Sequence, residues 1–297
     1  MTSNRLPISA CLIARDEEHD IGDAIASLDF VEEVVLVLDT RSSDGTAEVA
    51  RESIAEGQSL EIIEQEWLGH VAQKNVALDH ATRGWVICLD ADERVSARLR
   101  EEVFELFAAG LPKVAGFSCP RLTFTLGRWI RHGGWYPDRK IRLFRKDAGR
   151  WGGMDPHDRI ELRGVCHALR GELQHFSYRS LLDHIEKMDS YTEISAKRLF
   201  ERGRHLALIR MVVQPPGRFF YMYFLRCGFL DGRAGLILAG LASYYVFLKY
   251  AKLYEKQRSV MKARSHGAVK ELPGQRQTLP GQAKQPRPPV EEPATKS

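Results

Sequence analysis

Residues Trp85–Glu93 read WVICLDADE, and this stretch decides the fold. The apolar run Val86–Leu89 predicts a short buried strand, which ends at two carboxylates, Asp90 and Asp92, one residue apart. Open α/β sheets bind ligands at the edge where parallel strands end, and Mg²⁺ and Mn²⁺ take oxygen ligands and bridge to phosphates. Two interpretations follow: a metal–diphosphate site, or a solvated acidic turn between a strand and a helix.

Upstream of this stretch, strand and helix patterns alternate along the chain. The predicted strands are Ile8–Ala14, Val34–Leu38, Leu60–Ile63 and Val86–Leu89, and the predicted helices are Asp16–Phe30, Thr46–Glu56 and Gly69–Ala81. Ser96 is a predicted N-cap for one more helix through Ala109. This rhythm predicts an α/β fold, with a Rossmann-like, mostly parallel sheet and helices on both faces.

The composition is that of a globular protein, with 44% hydrophobic and 28% charged residues among 297. The five cysteines are scattered without C-x-x-C spacing, so neither a zinc site nor a disulfide framework is expected. This cysteine pattern fits a reduced, cytosolic compartment. The N-terminal sequence has no long apolar segment before a small-residue cleavage site, so no signal peptide is expected.

Charge is strongly segregated along the chain. Residues 1–196 carry 24 Lys and Arg against 33 Asp and Glu, whereas residues 197–264 carry 14 against 3. A basic region of this kind suits an anionic membrane surface or another polyanion. No nucleic-acid recognition motif is present, so a nucleic-acid partner is not expected.

Three units are predicted. Residues 1–180 are predicted to form one α/β domain with two halves, at 1–110 and 111–180. Residues 181–264 form a basic, aromatic helical extension whose longest uncharged stretch, Ala234–Leu248, is 15 residues long. That is short of the ~20 residues that span a bilayer, so two amphipathic or half-inserted helices at the membrane interface are expected. Residues 265–297, with six prolines and no aromatic residue, are expected to be disordered.

Polar clusters follow three of the predicted strands. They are ARDEE at 14–18, D-x-x-S-x-D-G-T at 39–46 and DADE at 90–93. One cluster is weak evidence, but three at successive strand ends predict a binding site. In this order they resemble the family 2 glycosyltransferases, of the inverting GT-A type. Four further segments resemble the branch with the lipopolysaccharide core β-glucosyltransferases: AQKN (72–75), FTLGRWIRHGGWYPDRKIRLFRK (124–146), LQHFSYRSL (173–181) and GFLDG…YYVFLKYAKLYE (228–255).

The resemblance implies a nucleotide-diphosphate sugar donor, which is a UDP sugar in most of this branch. It makes residues 1–180 the catalytic domain, with the donor half at 1–110 and the acceptor half at 111–180. It assigns Asp39 to the nucleoside base, and Ala14, Arg15 and Glu17 to the nucleoside pocket. Asp44 belongs to the same donor site or only caps the helix that begins near Thr46. Glu17 contacts the nucleoside or only favours the start of its own helix.

For the diphosphate, the resemblance implies a divalent metal, Mg²⁺ or Mn²⁺. Asp92 is predicted to hold the metal, and Asp90 is predicted to approach the ribose or the metal. Lys74 is predicted to contact a phosphate or the sugar.

Inversion at the anomeric carbon requires a base that takes the proton of the acceptor hydroxyl. The related enzymes carry a His-Glu pair at this place, and this chain has His157 and Asp158 within MDPHDR. Asp158 is therefore the predicted base, with His157 beside it. Three alternatives stay open: Asp155 is the base, the shorter side chain of Asp158 shifts the position of the acceptor, or the segment is a surface loop.

The acceptor is predicted to bind at the segment WIRHGGWYPDRK, where aromatic faces and charged groups suit a sugar or a phosphorylated ligand. The candidate residues are Arg131, His132, Trp135 and Tyr136. His167, His175 and His184 show no metal-ligand spacing and are predicted to be structural.

The resemblance thus predicts a metal-dependent glycosyltransferase that serves a lipopolysaccharide-core or other lipid-linked acceptor. Its expected place is the inner face of the cytoplasmic membrane, as a peripheral or monotopic protein. A polyprenyl-phosphate glycosyltransferase is the rival enzyme, for which two clear spanning helices are expected. A catalytically inactive, membrane-associated protein that binds sugar nucleotides is the non-enzyme alternative.

Overall fold

A computed structural model describes residues 5–154, 157–204 and 206–265 of the chain. The predicted alternation is present in its first half. The elements are β1 (Leu6–Ala14), α1 (Ile21–Ala26), β2 (Val31–Asp39), α2 (Thr46–Glu52), β3 (Ser59–Gln65), α3 (His70–His80) and β4 (Trp85–Asp90). The strands are parallel in the order β3-β2-β1-β4, so all four carboxyl ends meet at one edge. That edge carries the polar clusters which the sequence placed together.

The second half extends the same sheet with antiparallel pairs. Its elements are β5 (Glu93–Val95), α4 (Ala97–Ala108), β6 (Gly116–Thr125), β7 (Arg128–Ile130), β8 (Asp138–Arg145), β9 (Gly149–Met154), β10 (His157–Leu162), β11 (Cys166–Ala168) and β12 (Leu173–His175). β8 runs antiparallel to both β4 and β6, because no helix crosses over between β6 and β8. The α/β class is thereby confirmed, with a mixed sheet of ten strands.

Helices cover both faces of the sheet, as predicted. Along β2, Val34 and Leu36 face a core built with α1, α2 and α4, while Val35 and Val37 face a second core. The second core contains α3 and the β9–β10 hairpin, which contributes Trp151. A strand that is buried on both faces has an apolar run in place of an alternating pattern, which explains the VVLVL sequence.

The first helix is shorter than the predicted Asp16–Phe30. Asp16 has a φ of 54°, and the backbone amides of Asp16, Glu17 and Glu18 donate to the side chains of Ser42, Thr46 and Asp44. These amides are bound to the loop between β2 and α2 and do not begin a helix. By contrast, Ser96 is the N-cap that the sequence predicted, because its hydroxyl accepts from the Leu99 amide at 3.2 Å.

Three helices follow the sheet: α5 (Leu181–Glu201), α6 (Ala207–Phe220) and α7 (Gly232–Ser265). A π-helical turn at Tyr221–Leu225 and a 3₁₀ turn at Gly228–Asp231 connect α6 to α7. Within the described part of the chain, one helical segment, Gly228–Val260, is long and apolar enough to cross a membrane, by length and composition only. The predicted division into three units stays a prediction, and residues 266–297 lie outside the described residues.

Candidate active site

A chain of alternating charges lies at the end of β4. Lys74 on α3 places its Nζ 2.6 Å from Asp90 Oδ1 and 2.7 Å from Asp158 Oδ2. Arg142 on β8 lies on the other side, with a guanidinium nitrogen 2.9 Å from Asp90 Oδ2 and another contact of 2.8 Å to Glu93. Asp90 and the predicted base Asp158 therefore share one ammonium group.

Burial and ion pairing oppose each other in this cluster. Burial alone raises the pKa of Asp90, but Lys74 and Arg142 outweigh it and hold that pKa well below its usual range. Burial alone lowers the pKa of Lys74, yet Asp90 and Asp158 hold it above the ordinary value. Asp90 and Lys74 are thus both charged at neutral pH, although the Lys74 side chain is only 8% exposed.

Asp92 has a different environment. His175 Nε2 lies 3.2 Å from Asp92 Oδ2, and this bond outweighs burial and lowers the pKa of Asp92. The sequence predicted His175 to be structural, but the structure places it at the site. β12 brings it there, since His175 pairs with Glu93 on β5. No spacing in the sequence marks this contact, because it depends on the direct pairing of β12 with β5, two strands that lie far apart in the chain.

The metal prediction was tested against these donors. Among the described residues, no group of three or more His, Cys, Asp or Glu side chains forms a metal site. Mg²⁺ and Mn²⁺ sites of nucleotide enzymes need only one or two protein ligands beside phosphate oxygens. Asp92 with the His175 ring fits that pattern. Asp90 fits poorly, because its two oxygens already face Lys74 and Arg142.

The predicted nucleoside residues line the ends of β1 and β2. Asp39 is buried, and its oxygens accept from Arg41 Nε at 3.1 Å and Nη2 at 2.7 Å, which lowers the pKa of Asp39. Arg15 Nε lies 4.0 Å from Asp39, and Ala14 is buried at the end of β1. The sequence analysis did not single out Arg41. In this structure Arg41 binds Asp39, the carboxylate that was predicted to bind the nucleoside base.

Asp44 joins two loops. It accepts from the Thr46 amide at 3.1 Å and from the Glu18 amide at 3.0 Å. The bond to Thr46 satisfies the first amide of α2, although Gly45 holds the N-cap position and has no side-chain cap bond. A purely structural role for Asp44 stays open. A direct role in donor binding stays a prediction.

The predicted acceptor residues occupy the loop between β7 and β8. His132 donates its backbone amide to Asp231 Oδ2 at 2.8 Å, and its ring nitrogen Nδ1 is 3.0 Å from Asp231 Oδ1. Arg131 lies 3.2 Å from Glu172, and the Tyr136 hydroxyl donates to the same carboxylate at 3.5 Å. Buried Asp231, which the sequence did not single out, therefore fixes this loop against the start of α7.

The predicted base segment is described in part. Asp158 belongs to β10, pairs with Gly153 in the β9–β10 hairpin, and is 16% exposed. Asp155 lies outside the described residues, as does the side chain of His157. The structure thus brings Asp158 to Asp90 through Lys74, and the assignment of the base stays a prediction.

Glu17 makes the stability of the fold depend on pH. Burial, followed by repulsion from Asp92 and Asp20, raises the pKa of Glu17 from 4.5 to about 7. Folded Glu17 binds its proton more tightly than unfolded Glu17, so its contribution to stability is lost as the pH rises towards 7. We expect the free energy of unfolding of Glu17→Gln, measured by urea denaturation, to rise relative to that of the wild type as the pH increases from about 5 to about 8.

A matched control is Glu48→Gln, because Glu48 is 68% exposed on α2. It shows the effect of removing one exposed carboxylate, against which the Glu17→Gln result is compared. A difference between Glu17→Gln and the wild type that stays constant from about pH 5 to about pH 8 would refute the raised pKa of Glu17.

The fold and the charged cluster at the ends of β1, β2 and β4 define an α/β protein with a polar site at the carboxyl edge of its sheet. The family model described as "Glycosyl transferase family 2" matches residues 9–169. The chain is also 32% identical over 262 residues to "Lipopolysaccharide core biosynthesis glycosyltransferase LpsC" of Rhizobium meliloti, which covers 88% of this chain and 96% of that protein. The chain therefore belongs to glycosyl transferase family 2 and is a glycosyltransferase, which confirms the resemblance.

Other similar proteins cover most of the chain. An uncharacterized glycosyltransferase of Rickettsia typhi, RT0209, is 27% identical over 86% of this chain and 90% of its own length. Among solved structures, S. aureus TarS 1-349 in complex with UDP-GlcNAc has a TM-score of 0.43 at 13% identity, covering 88% of this chain and 92% of that one. Mannosyltransferase PcManGT from Pyrobaculum calidifontis, in complex with GDP-Man and Mn²⁺, has a TM-score of 0.46 at 15% identity, with coverages of 84% and 87%.

Proposed function

We propose that this glycosyltransferase transfers a sugar from a nucleotide-diphosphate donor, a UDP sugar, to a lipopolysaccharide-core or other lipid-linked acceptor with inversion. The observation that carries the proposal is the shared ion pair of Lys74 with Asp90 and Asp158 beside Asp92. At one edge of the sheet, Lys74 is a cation for a phosphate, Asp92 a carboxylate for a metal and Asp158 a carboxylate that can take a proton. The relative whose name states lipopolysaccharide core biosynthesis supports the acceptor class.

Asp158 is the proposed base of a single displacement. The acceptor hydroxyl gives its proton to the Asp158 carboxylate while its oxygen forms a bond to the anomeric carbon. The bond from that carbon to the donor phosphate breaks, and the nucleoside diphosphate leaves. Lys74 holds Asp158 in place and carries a positive charge towards the departing diphosphate.

Asp92 and His175 are the residues that would hold Mg²⁺ or Mn²⁺. Such an ion, when bound, neutralises charge on the diphosphate. Asp39, Arg15, Ala14 and Glu17 form the proposed nucleoside pocket. For Asp39 to accept a hydrogen bond from the nucleoside base, the Arg41 side chain has to turn away from Asp39.

The proposed location is the inner face of the cytoplasmic membrane. Large apolar side chains are exposed on α6 and in the turn after it, among them Val212, Val213, Phe220 and Phe224. Arg210, Arg218 and Arg226 are interspersed among them. Apolar groups that insert between lipids, together with cations that attract anionic headgroups, characterise interfacial helices.

A panel of nucleotide sugars tests the donor assignment. Thermal shift is measured for the purified chain with each UDP, GDP and CDP sugar, with and without Mn²⁺. A bound donor raises apparent stability by mass action, so one UDP sugar should raise Tm more in the presence of Mn²⁺. A panel in which no donor shifts Tm, under either condition, would refute the proposal.

A further inference from the structure

A cavity of about 430 Å³ lies beside the proposed site, between the loop that joins β7 to β8 and the helices α5, α6 and α7. Trp135, Tyr178, His184 and Tyr245 contribute an aromatic wall, and Arg218 and Lys249 contribute two cations. The size falls within the range of small-ligand sites, for which a few placed polar groups in an apolar lining are typical.

The aromatic wall is ordered by its own contacts. The rings of Tyr178 and His184 stack at 3.8 Å with an interplanar angle of 3°, and Trp135 meets His184 edge-on at 6.3 Å. Flat rings in this arrangement pack well against the C–H faces of a sugar. Tyr178 follows His175 by three residues, so the wall begins close to Asp92.

The two cations of the cavity lack acidic partners within the described part of the chain. On α7, Lys252 pairs with Asp189 at 2.7 Å, and Lys256 pairs with Glu193 at 2.6 Å. Lys249, on the same helix, lies over the rings of Tyr245 at 5.7 Å and Tyr250 at 4.9 Å, and no ion pair joins it to a carboxylate of the described residues. A half-buried ammonium without a carboxylate is costly, and an anionic ligand would compensate it.

We propose that this cavity binds the phosphorylated sugar of a glycolipid acceptor, with Arg218 and Lys249 on its phosphate and the aromatic wall against its sugar. The inference rests on the proposed function, since it names the acceptor class of that site. The acyl chains then extend along exposed Phe220, Phe224 and Leu225, which follow Arg218 in the chain. Arginine with its planar group and lysine as a point charge are both usual phosphate ligands.

Equilibrium binding to the full chain tests the inference, with three probes: diphosphoryl lipid A in detergent micelles, the same lipid after removal of its phosphates, and phosphatidylglycerol vesicles. Wild-type protein should bind the diphosphoryl form at least ~10-fold more tightly than the phosphate-free form. Arg218→Gln and Lys249→Met should each weaken binding of the diphosphoryl form ~10-fold. Arg202→Gln and Lys256→Met, which change cations outside the cavity, should bind it like the wild type.

Equal binding of the two lipid A forms by the wild-type protein would overturn the inference without any variant. Equal losses in the cavity variants and the controls, or the same losses on phosphatidylglycerol vesicles, would also overturn it, since the cations would then serve the bilayer. Hydrolysis of the donor by the wild-type protein without lipid is measured in parallel. A lack of donor hydrolysis contradicts the proposed function, whereas the ratio of the affinities for the two lipid A forms tests the cavity.

Discussion

Replacing Asp158 by Asn is expected to lower the rate of sugar transfer by about 10²–10⁴-fold while donor affinity changes little. Asparagine keeps the shape of the side chain but cannot take the proton of the attacking hydroxyl. Lys74 retains its contact with Asp90 in this variant, so the cluster keeps its fold. The measurement is single-turnover hydrolysis of the donor, in which water replaces the acceptor, together with the donor Kd from titration.

Asp79→Asn serves as the matched control, because Asp79 lies on α3 with Lys74 and forms an exposed ion pair with Arg150 at 2.7 Å. It should turn over the donor at the wild-type rate. A wild-type rate for Asp158→Asn would show that another residue is the base. Asp155→Asn is the variant that should then lose activity.

Replacing Asp92 by Asn is expected to reduce metal-dependent turnover by about 10²–10³-fold, which corresponds to several kcal/mol of transition-state stabilisation. The variant removes the charge that is proposed to hold the metal and leaves the His175 ring without its carboxylate. The concentration of Mn²⁺ that gives half-maximal turnover should rise as well. Both quantities follow from a titration of donor hydrolysis with Mn²⁺.

Asp147→Asn provides the comparison, because Asp147 is 67% exposed and pairs only with Arg145 among the described residues. Its Mn²⁺ titration should overlay that of the wild type. An unchanged Mn²⁺ titration for Asp92→Asn would show that Asp92 holds no metal.

The part of the site that lies at the ends of parallel strands was predictable from sequence. The apolar run before Asp90 fixes a buried strand, and the alternation with helices fixes the common direction of β1, β2 and β4. Residues that directly follow these strands must then share one edge. Asp39, Asp90 and Asp92 are therefore where their local sequence indicates.

Residues that reach the site from the antiparallel half were not predictable in this way. Arg142 meets Asp90 because β8 pairs with β4 in one register, and that register depends on contacts far apart in sequence. His175 and Asp231 likewise act through β12 and through the turn before α7. Their local patterns are those of an ordinary strand and an ordinary turn.

The length of α1 shows the same limit on a smaller scale. The apolar spacing of Ile21, Ala24 and Ile25 correctly indicates a helix, and these residues are buried. Its start was placed too early, because the preceding amides bind side chains that lie more than twenty residues later in the chain. Tertiary hydrogen bonds therefore override a local helical pattern at this edge of the sheet.

The anomeric form of the sugar that is first released tests the proposed reaction most directly. A UDP sugar from the panel, with its sugar α-linked, is followed by NMR during hydrolysis by the wild-type chain with Mn²⁺. Inversion by water activated at Asp158 predicts that the β-anomer appears first, together with UDP, before mutarotation sets in. Release of the α-anomer first, or no release from any donor of the panel, would contradict the proposed inverting transfer.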